Sequence, residues 1–486
     1  MIRRRGTIAA TLALALAMLS ACARSASERT TVHATPIAAV SGAPAWSAGD
    51  VRALQANLRS ALSASALATS GVAVVDAGGR TLFARRERAA LTPASTFKLL
   101  VGAAVLTVLG PSYRFETTFE SISEPHEGRL DGDLYLVGNG DPELTRDDLR
   151  GGVGAVARAG VRDVRGALVA DAGAFSGPEI NAGWDPGDLQ YGYAAGTSAL
   201  ALDQGTVEFH LVPTVAGAPA RIRVVPASDA VRVRGGVTTS NTTLLAIQRD
   251  AFRNDFTFSG TVAAEQSFWR PLIDLPRYAA IVARSTLRER GIGVDDGVRI
   301  GTAPMLPLVL WRHRSPPLPA IVHRMFVESN NHFAEQLLRA LGATQGSGTE
   351  SGGGRIEREV LVRDGVPQGG LRIVDGSGLA ASDRVAPLTL ALLLARVAEE
   401  PGGAAFVATL PRVGMEGTVR GRHVRDARGR VWAKSGHIRF VNALAGYVQT
   451  RHHGRVAFAI VVNDRRADDG PVDRGIDRAL DLLSRN

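Results

Sequence analysis

The 486-residue sequence has very little lysine and almost no cysteine. Lys98 and Lys434 are the only lysines in a basic set of 56 residues that is otherwise arginine, and Cys22 is the single cysteine. One cysteine excludes an intramolecular disulfide. The pair His452-His453 lacks Cys or acidic partners at the spacing of metal ligands, so we expect no metal and no cofactor. Arginine stays protonated at any usable pH, whereas a buried lysine can lose its proton and act as a base. The two lysines are therefore candidates for chemistry before any motif is considered.

The composition limits the classes of partner. A net charge of +9 would attract anionic polymers. No nucleic-acid-binding motif accompanies this charge, and the bias towards Arg, Ala and Gly is typical of base composition, so we expect no nucleic-acid binding. A hydrophobic content of 45% in a chain of this length predicts more than one domain.

The N-terminus predicts export. Arginines at positions 3–5 precede an apolar run over residues 8–19, which is too short for a membrane-spanning helix but typical of a secretory signal. Leu19-Ser20-Ala21-Cys22 resembles a bacterial lipoprotein signal, in which residues 1–21 are removed and Cys22 is lipidated. Cleavage after Ala23 is the alternative, because Ala21-Cys22-Ala23 also fits a small-x-small site. In both cases the mature protein lies in the periplasm, and in the first a lipid anchor holds it to a membrane.

After a Ser/Ala/Thr-rich tether at residues 22–45, the predicted secondary-structure pattern changes twice along the sequence. Residues 46–118 and 303–486 alternate between helix and strand patterns. Residues 119–302 contain short Val-rich strands separated by Gly/Asp/Pro turns, which is typical of inserted β-rich material. A Gly/Ser-rich loop is predicted at residues 342–354.

The first chemical motif is Ser95-Thr96-Phe97-Lys98, at the start of a predicted apolar helix. Residues at i and i+3 share a helix face, so the amine and the hydroxyl are within reach of each other. The helix N-terminus favours the negative charge that develops on a serine nucleophile. The same four residues are also compatible with a serine that caps the helix and a lysine that is exposed to solvent. The apolar residues that follow predict instead that Lys98 is at least partly buried.

Two further motifs carry hydroxyl, amide and amine groups. Ser329-Asn330-Asn331, between two predicted helices, offers a hydroxyl for proton shuttling and a carboxamide that can hold a peptide carbonyl. Lys434-Ser435-Gly436 ends a predicted strand, and the glycine allows a substrate backbone to lie against the strand edge. Each motif alone also fits a helix cap or a turn.

In the order Ser-x-x-Lys, Ser-x-Asn, Lys-Ser-Gly, the three motifs match the set found in penicillin-recognising serine enzymes. The long gap between Ser95 and Ser329 resembles the low-molecular-mass class C penicillin-binding proteins rather than class A β-lactamases, whose first gap is much shorter. Further stretches resemble the same family; they are 132–138, 140–142, 375–379, 410–411, 417–418 and 443–447.

This resemblance implies an α/β transpeptidase-like domain that is discontinuous in sequence, with an inserted, mostly β region of two smaller domains. It also implies a D-alanyl-D-alanine carboxypeptidase or endopeptidase that acts on peptidoglycan stem peptides through a serine acyl-enzyme. β-Lactam antibiotics would acylate the same serine.

The resemblance also implies a role for each matching residue. Ser95 would be acylated, Lys98 would be the general base, and Ser329 with Lys434 would relay a proton to the leaving group. Asn331 would hold the substrate amide.

The strand that follows Lys434 would bind the substrate. Ser435 would bind the terminal carboxylate, Gly436 would admit the substrate backbone, and the backbone N–H groups of Ser95 and His437 would form an oxyanion hole. In the inserted region, Asp188 corresponds to a family residue that lines a side-chain pocket.

Three positions depart from the family pattern. His437 stands where a threonine is usual, Phe97 replaces a commonly polar residue, and Ala380-Ala381 replaces a Ser-Arg pair. The last departure affects how the far end of the stem peptide is held.

Two other functions share part of this pattern. A β-lactamase would share the acylation and hydrolyse the drug quickly, but the long insertion argues against it. A non-catalytic penicillin-binding scaffold would retain the same fold.

Overall fold

The computed structural model describes residues 44–464 and 469–486. The predicted signal peptide, the predicted lipidation site Cys22 and most of the tether lie outside the described residues.

Strands from the two ends of the chain form one antiparallel sheet. With strands numbered in chain order, its members are β1 (Gly71–Asp76), β2 (Thr81–Arg85), β18 (Val431–Ile438), β19 (Val441–Gln449) and β20 (Arg455–Asn463). Their spatial order is β18-β19-β20-β1-β2, so β18 is an edge strand. The central strands β1, β19 and β20 are almost continuously apolar because helices cover both faces of the sheet.

Two helical layers pack against this sheet. Helices α1 (Ala48–Ala61) and α10 (Asp469–Arg485) cover one face. The other face carries α2 (Lys98–Val108), α5 (Leu318–Glu328), α6 (Asn331–Ala343), α7 (Glu350–Arg363), α8 (Pro387–Glu399) and α9 (Gly403–Thr409). Helix α2 is apolar all round because it lies inside this second layer.

The composition predicted a loop over residues 342–354, but α6 extends to Ala343 and α7 begins at Glu350, so that prediction is wrong at both ends of the segment. The Thr349 side chain accepts the N–H of Gly352 and caps the helix. The glycines allow close packing: a Cβ added to Gly353 would lie 1.9 Å from the carbonyl oxygen of Leu338 in α6. They are needed for the contact between two helices and not for flexibility.

The inserted region is built from several small sheets. Its strands are β3 (Glu116–Ser121), β4 (Arg129–Leu130), β5 (Leu134–Gly138), β6 (Asp163–Val164), β7 (Leu168–Asp171), β8 (Thr206–Val212), β9 (Arg221–Val225), β10 (Arg232–Gly235), β11 (Thr238–Thr239), β12 (Leu244–Arg249), β13 (Asp255–Val262), β14 (Gln266–Pro271), β15 (Gly293–Val294), β16 (Val298–Ile300) and β17 (Leu308–Arg314). Two helices, α3 (Arg146–Arg158) and α4 (Leu275–Glu289), pack with these strands around a separate apolar core.

The largest inserted sheet has the order β16-β7-β5-β3-β17. Strands β3 and β17 pair along their lengths, from Leu308 opposite Ser121 to Arg314 opposite Glu116. The sequence predicted an inserted region over residues 119–302. The inserted sheet is longer than this prediction, because it starts before residue 119 and ends after residue 302. Within 44–464 and 469–486, no helix is both long and apolar enough to cross a membrane.

Candidate active site

Ser95 lies in a short 3-10 turn, Ala94–Phe97, that leads into α2. Ala94 is fully buried and has a φ of 48°, a left-handed conformation that is costly for a residue with a Cβ and that turns the chain sharply before the serine. Lys98 is the first residue of α2 and its side chain is fully buried. Its Nζ lies 3.0 Å from Ser95 Oγ. The hydroxyl and the amine are therefore in hydrogen-bond contact.

Phe97 is buried in the apolar layer between the sheet and the helices. Its side chain packs with the core and not with the motif, so an apolar residue at this position costs the site no polar contact.

The second motif lies at the junction of α5 and α6. Ser329 has a φ of 57°, and Asn330 caps α6 by accepting the Phe333 N–H. Asn331 then starts α6, and its Oδ1 accepts a 2.7 Å hydrogen bond from Lys98 Nζ. The sharp turn at Ser329 brings the serine hydroxyl and the Asn331 amide to the same cleft.

The third motif lies on the edge strand β18. Lys434 is fully buried, and its Nζ donates to Ser329 Oγ at 3.0 Å and to the Ser435 carbonyl at 2.6 Å. A Cβ added to Gly436 would lie 2.7 Å from the Pro93 carbonyl oxygen and 3.1 Å from the Ser95 nitrogen. Only glycine allows β18 to lie this close to the turn that carries Ser95.

The remaining strand residues lie at the open side of the cleft. Ser435 Oγ is 2.7 Å from Thr418 Oγ1. The His437 imidazole is 38% exposed, and its Nδ1 lies 3.9 Å from a carboxylate oxygen of Asp469 in α10. Hydroxyl groups and an imidazole therefore line this side of the site.

Burial of the two amines changes their proton affinity. Burial lowers the pKa of Lys98 to about 8, although the carboxylates of Asp375 and Glu335 partly oppose that effect. Burial also lowers the pKa of Lys434 well below its usual value, and the charge of Lys98 lowers it further. The site therefore favours a neutral amine beside each serine at moderately alkaline pH.

Three contacts of the site were not predicted from the sequence. Lys98 Nζ donates to the carbonyl of Ser377 at 2.8 Å. Asn331 Nδ2 donates to the carbonyl of Tyr193, and Asn330 Nδ2 donates to Gln204 Oε1, at 2.9 and 2.7 Å. Two of the acceptors are backbone atoms, which leave no signal in the sequence. The segment Asp375–Leu379 resembles the family in sequence, but that resemblance did not indicate a contact with Lys98.

Asp188 is linked to Asn331 through one intervening residue. Its carboxylate accepts a 2.7 Å hydrogen bond from the Tyr193 hydroxyl, and the Tyr193 backbone carbonyl binds Asn331. Tyr193 also stacks on Tyr191, with the ring centroids 5.4 Å apart. The inserted region thus contributes an acidic and aromatic wall next to Asn331.

Comparisons with known proteins find relatives over most of the chain. Residues 54–486 match the model of the D-Ala-D-Ala carboxypeptidase 3 (S13) family. The chain is 34% identical over 438 residues to a D-alanyl-D-alanine carboxypeptidase of Actinomadura sp. (strain R39), covering 85% of this chain and 80% of that protein. It is 27% identical over 394 residues to the D-alanyl-D-alanine carboxypeptidase DacB of Haemophilus influenzae, covering 77% of this chain and 81% of that protein.

Solved structures show the same fold. The crystal structure of penicillin binding protein 4 (dacB) from Haemophilus influenzae superposes with a TM-score of 0.79 at 25% identity, covering 89% of this chain and 99% of that one. The same protein complexed with a novel β-lactam gives a TM-score of 0.73 at 23% identity over the same shares of the two chains. The α/β fold with its inserted β-rich region is therefore shared along almost the full length.

Proposed function

The chain belongs to the D-Ala-D-Ala carboxypeptidase 3 (S13) family of low-molecular-mass class C penicillin-binding proteins, and we propose how its own residues carry out that family's reaction. The protein is a serine-type D-alanyl-D-alanine carboxypeptidase, an exported enzyme that acts on peptidoglycan stem peptides and is acylated by β-lactams. One observation supports the residue roles best: each of the two buried lysines lies 3.0 Å from a serine hydroxyl, in one cleft.

In the acylation step that we propose, Ser95 Oγ attacks the carbonyl carbon of the penultimate D-alanine. The Ser95 proton passes to the neutral Nζ of Lys98, and the backbone N–H groups of Ser95 and His437 stabilise the oxyanion. The 3.0 Å contact between Lys98 Nζ and Ser95 Oγ supports the proton transfer. Because the close approach of Gly436 brings β18 beside the Ser95 backbone, it supports an oxyanion hole that is shared by the two elements.

Collapse of the tetrahedral intermediate breaks the C–N bond and releases D-alanine. The leaving amine takes a proton from Ser329 Oγ, and Lys434 Nζ replaces it on Ser329 with the proton that Lys98 took from Ser95, so both amines are neutral again after the step. Asn331 holds the substrate amide and Ser435 binds the terminal carboxylate. Water then hydrolyses the Ser95 ester and regenerates the enzyme.

Digestion of purified peptidoglycan fragments, followed by mass spectrometry, tests this function. Loss of one terminal D-alanine from pentapeptide stems by the wild type, and no loss with Ser95→Ala, is the expected result. Cleavage of cross-linked dimers would add endopeptidase activity. A protein that fluorescent penicillin labels but that leaves every peptide intact would instead be a scaffold, and rapid turnover of a chromogenic cephalosporin would indicate a β-lactamase.

We propose that Asp188 lines the pocket for the side chain of the stem peptide. Its contact with Tyr193, which in turn binds Asn331, supports this position beside the acyl part of the substrate. Asp188→Asn should raise KM for peptides with a basic or amino-bearing third residue and leave kcat nearly unchanged. An equal effect on peptides without that amine would contradict the assignment.

The proposal for the N-terminus is a lipid anchor at Cys22. The apolar run and Leu19-Ser20-Ala21-Cys22 support it. Metabolic labelling with palmitate should mark the wild type and not Cys22→Ala. The absence of label from both would instead favour cleavage after Ala23 and a periplasmic enzyme without an anchor.

A further inference from the structure

The three contacts of Lys98 Nζ divide into two kinds. Asn331 Oδ1, at 2.7 Å, and the Ser377 carbonyl oxygen, at 2.8 Å, are acceptors that have no proton to give. Ser95 Oγ, at 3.0 Å, carries a hydroxyl proton and can donate as well as accept. A neutral amine has two N–H groups and one lone pair. When both N–H groups are bound to the two pure acceptors, the lone pair faces the hydroxyl of Ser95.

The Ser377 carbonyl can serve as such an acceptor only if its backbone is held in place. Glu335 is fully buried, and its two carboxylate oxygens accept the N–H groups of Gly376 and Ser377 at 3.0 and 2.9 Å. The next N–H, that of Gly378, binds Asp375 Oδ1 at 2.6 Å. Successive peptide groups are therefore held from behind by carboxylates, and this leaves the Ser377 carbonyl facing Lys98.

Packing of the same loop against the nucleophile turn leaves it little room to shift. Gly378 has a φ of 76°, and a Cβ added there would lie 2.0 Å from the carbonyl oxygen of Ala94 and 3.0 Å from Cβ of Phe97. A small rotation of the loop would therefore move both the Ser377 carbonyl and the turn that carries Ser95.

Helix α6 supplies both restraints on the amine. Asn331 and Glu335 are four residues apart and so lie on the same face, one turn from each other. The first contacts Lys98 directly, and the second contacts it through the backbone of Ser377.

We propose that Glu335 is a positioning residue for the general base, because it holds the Ser377 carbonyl that, with Asn331, occupies both N–H groups of Lys98 and directs the lone pair at Ser95. This inference rests on the proposed role of Lys98 as the base. It adds a residue that does not touch the substrate and that no motif includes.

The charged and titratable groups around Lys98 and Glu335 come from several elements. They are Lys434 on β18, Glu350 and Glu357 on α7, Arg339 on α6, and Asp375 and Asp383 on the loop before α8. Glu357 offers a matched control, because it is also buried and close to Asp375 but its Oε2 has no hydrogen-bond partner among the described residues.

The test is the acylation of Glu335→Gln and Glu357→Gln by a penicillin, with the binding constant and the first-order acylation rate measured separately between pH 6 and 9.5. A glutamine side chain in place of Glu335 has one acceptor oxygen for two N–H groups, so we expect an acylation rate at least about tenfold lower with unchanged initial binding. Burial raises the pKa of Glu335 itself well above its usual value. Its ionised form raises the pKa of Lys98, so the loss of that form should also move the half-maximal pH of acylation downwards. Glu357→Gln should show neither effect.

The variant Glu335→Asp separates the effect of side-chain length from the effect of charge. It also provides a test of the proposal if Glu335→Gln does not fold. It keeps the carboxylate but cannot reach both N–H groups, so its acylation should slow with little change in the half-maximal pH. Unchanged acylation rates in Glu335→Gln, or a pH shift without a lower maximal rate, would overturn the positioning role. Measuring Lys98→Arg in parallel distinguishes failure of the Glu335 proposal from failure of the proposed role of Lys98. Rapid acylation of Lys98→Arg would overturn the assignment of Lys98 as the general base.

Discussion

At the scale of single residues, the proposed chemistry depends on two amines that the fold removes from water. Lys98 and Lys434 are both fully buried, although the sequence uses arginine at every other basic position. Guanidinium cannot lose a proton at a usable pH, and an amine can do so once burial lowers its pKa. The positions of the two lysines are explained by proton transfer better than by charge.

Lys98→Arg isolates this proton transfer from the presence of a cation. We expect the variant to be acylated by penicillin at least about a hundredfold more slowly, because loss of a general base typically costs on the order of 10²–10⁴ in rate. Stopped-flow fluorescence with a labelled penicillin measures the rate, and Ser95→Ala gives the background. Acylation near the wild-type rate would mean that another group activates Ser95.

The pH dependence of acylation follows from the same residue. Lys98 has a pKa of about 8, and only its neutral form can take the serine proton. The acylation rate of the wild type should therefore rise with pH and reach half its maximum near pH 8. A profile that is flat between pH 6 and 9.5 would contradict a titrating base, and the residual rate of Lys98→Arg should show no such rise.

At the scale of elements, the loop between α7 and α8 contains two neighbouring buried carboxyl groups, those of Asp375 and Asp383. Asp383 Oδ1 accepts the Val374 N–H at 2.7 Å, while Oδ2 is buried and receives no hydrogen bond from the described residues. Its neighbour is the carboxylate of Asp375, which already accepts the indole N–H of Trp184 at 2.8 Å. Burial, and after it the charge of Asp375, raises the pKa of Asp383 to about 10, which favours the protonated form of Asp383 in the folded protein.

The variant Asp383→Asn tests the protonation of Asp383 through the pH dependence of the free energy of unfolding. The folded wild type keeps a proton that the unfolded chain loses, so the stabilisation is fully present below the usual aspartate pKa and is lost as pH rises towards about 10. Across that window the free energy of unfolding should fall by up to about 1.4 kcal/mol per pH unit. Asn supplies the same donor and acceptor without titrating, so the variant should lose less stability between pH 6 and 9.

Denaturant unfolding at several pH values measures this difference, with the exposed Asp229→Asn as the matched control. Equal pH dependence in the wild type and Asp383→Asn would show that Asp383 is ionised in the folded protein.

At the scale of the whole molecule, the inserted region completes the site and does not merely extend the chain. The Tyr193 carbonyl and the Gln204 side chain, both from this region, bind Asn331 and Asn330 of the second motif. The amide that contacts Lys98 is therefore held from the inserted side as well as by α6.

Gln204→Leu removes one of these contacts and leaves Asn330 without its partner. We expect a folded protein whose acylation rate falls about threefold to tenfold, because the turn that carries Ser329 and Asn331 is less well held. Gln248→Leu, the same change on the exposed strand β12, should have no effect. Equal rates in both variants would mean that the inserted region does not influence the second motif.

The sequence predicted the meeting of the three motifs because side-chain type and order carry that information. It did not predict the acceptors at Tyr193 and Ser377, because every residue has a carbonyl and only the path of the chain selects one. Nor did it predict the true extent of the inserted sheet. Strand β17 has its partner β3 almost two hundred residues earlier, and no local pattern records such a pairing.

The pairing of β1 with β20 also determines when, during synthesis, the central sheet can be completed. These neighbours in the central sheet, Gly71 opposite Val461, come from opposite ends of the described chain. Contacts so distant in sequence form late, because closing a long loop costs entropy before any contact repays it. The inserted region, with its own core, has all its strands by Arg314 and can fold first. Because synthesis starts at the N-terminus, Ser95 is present in the growing chain long before Lys434, and the proposed site is incomplete until the last strands join the central sheet.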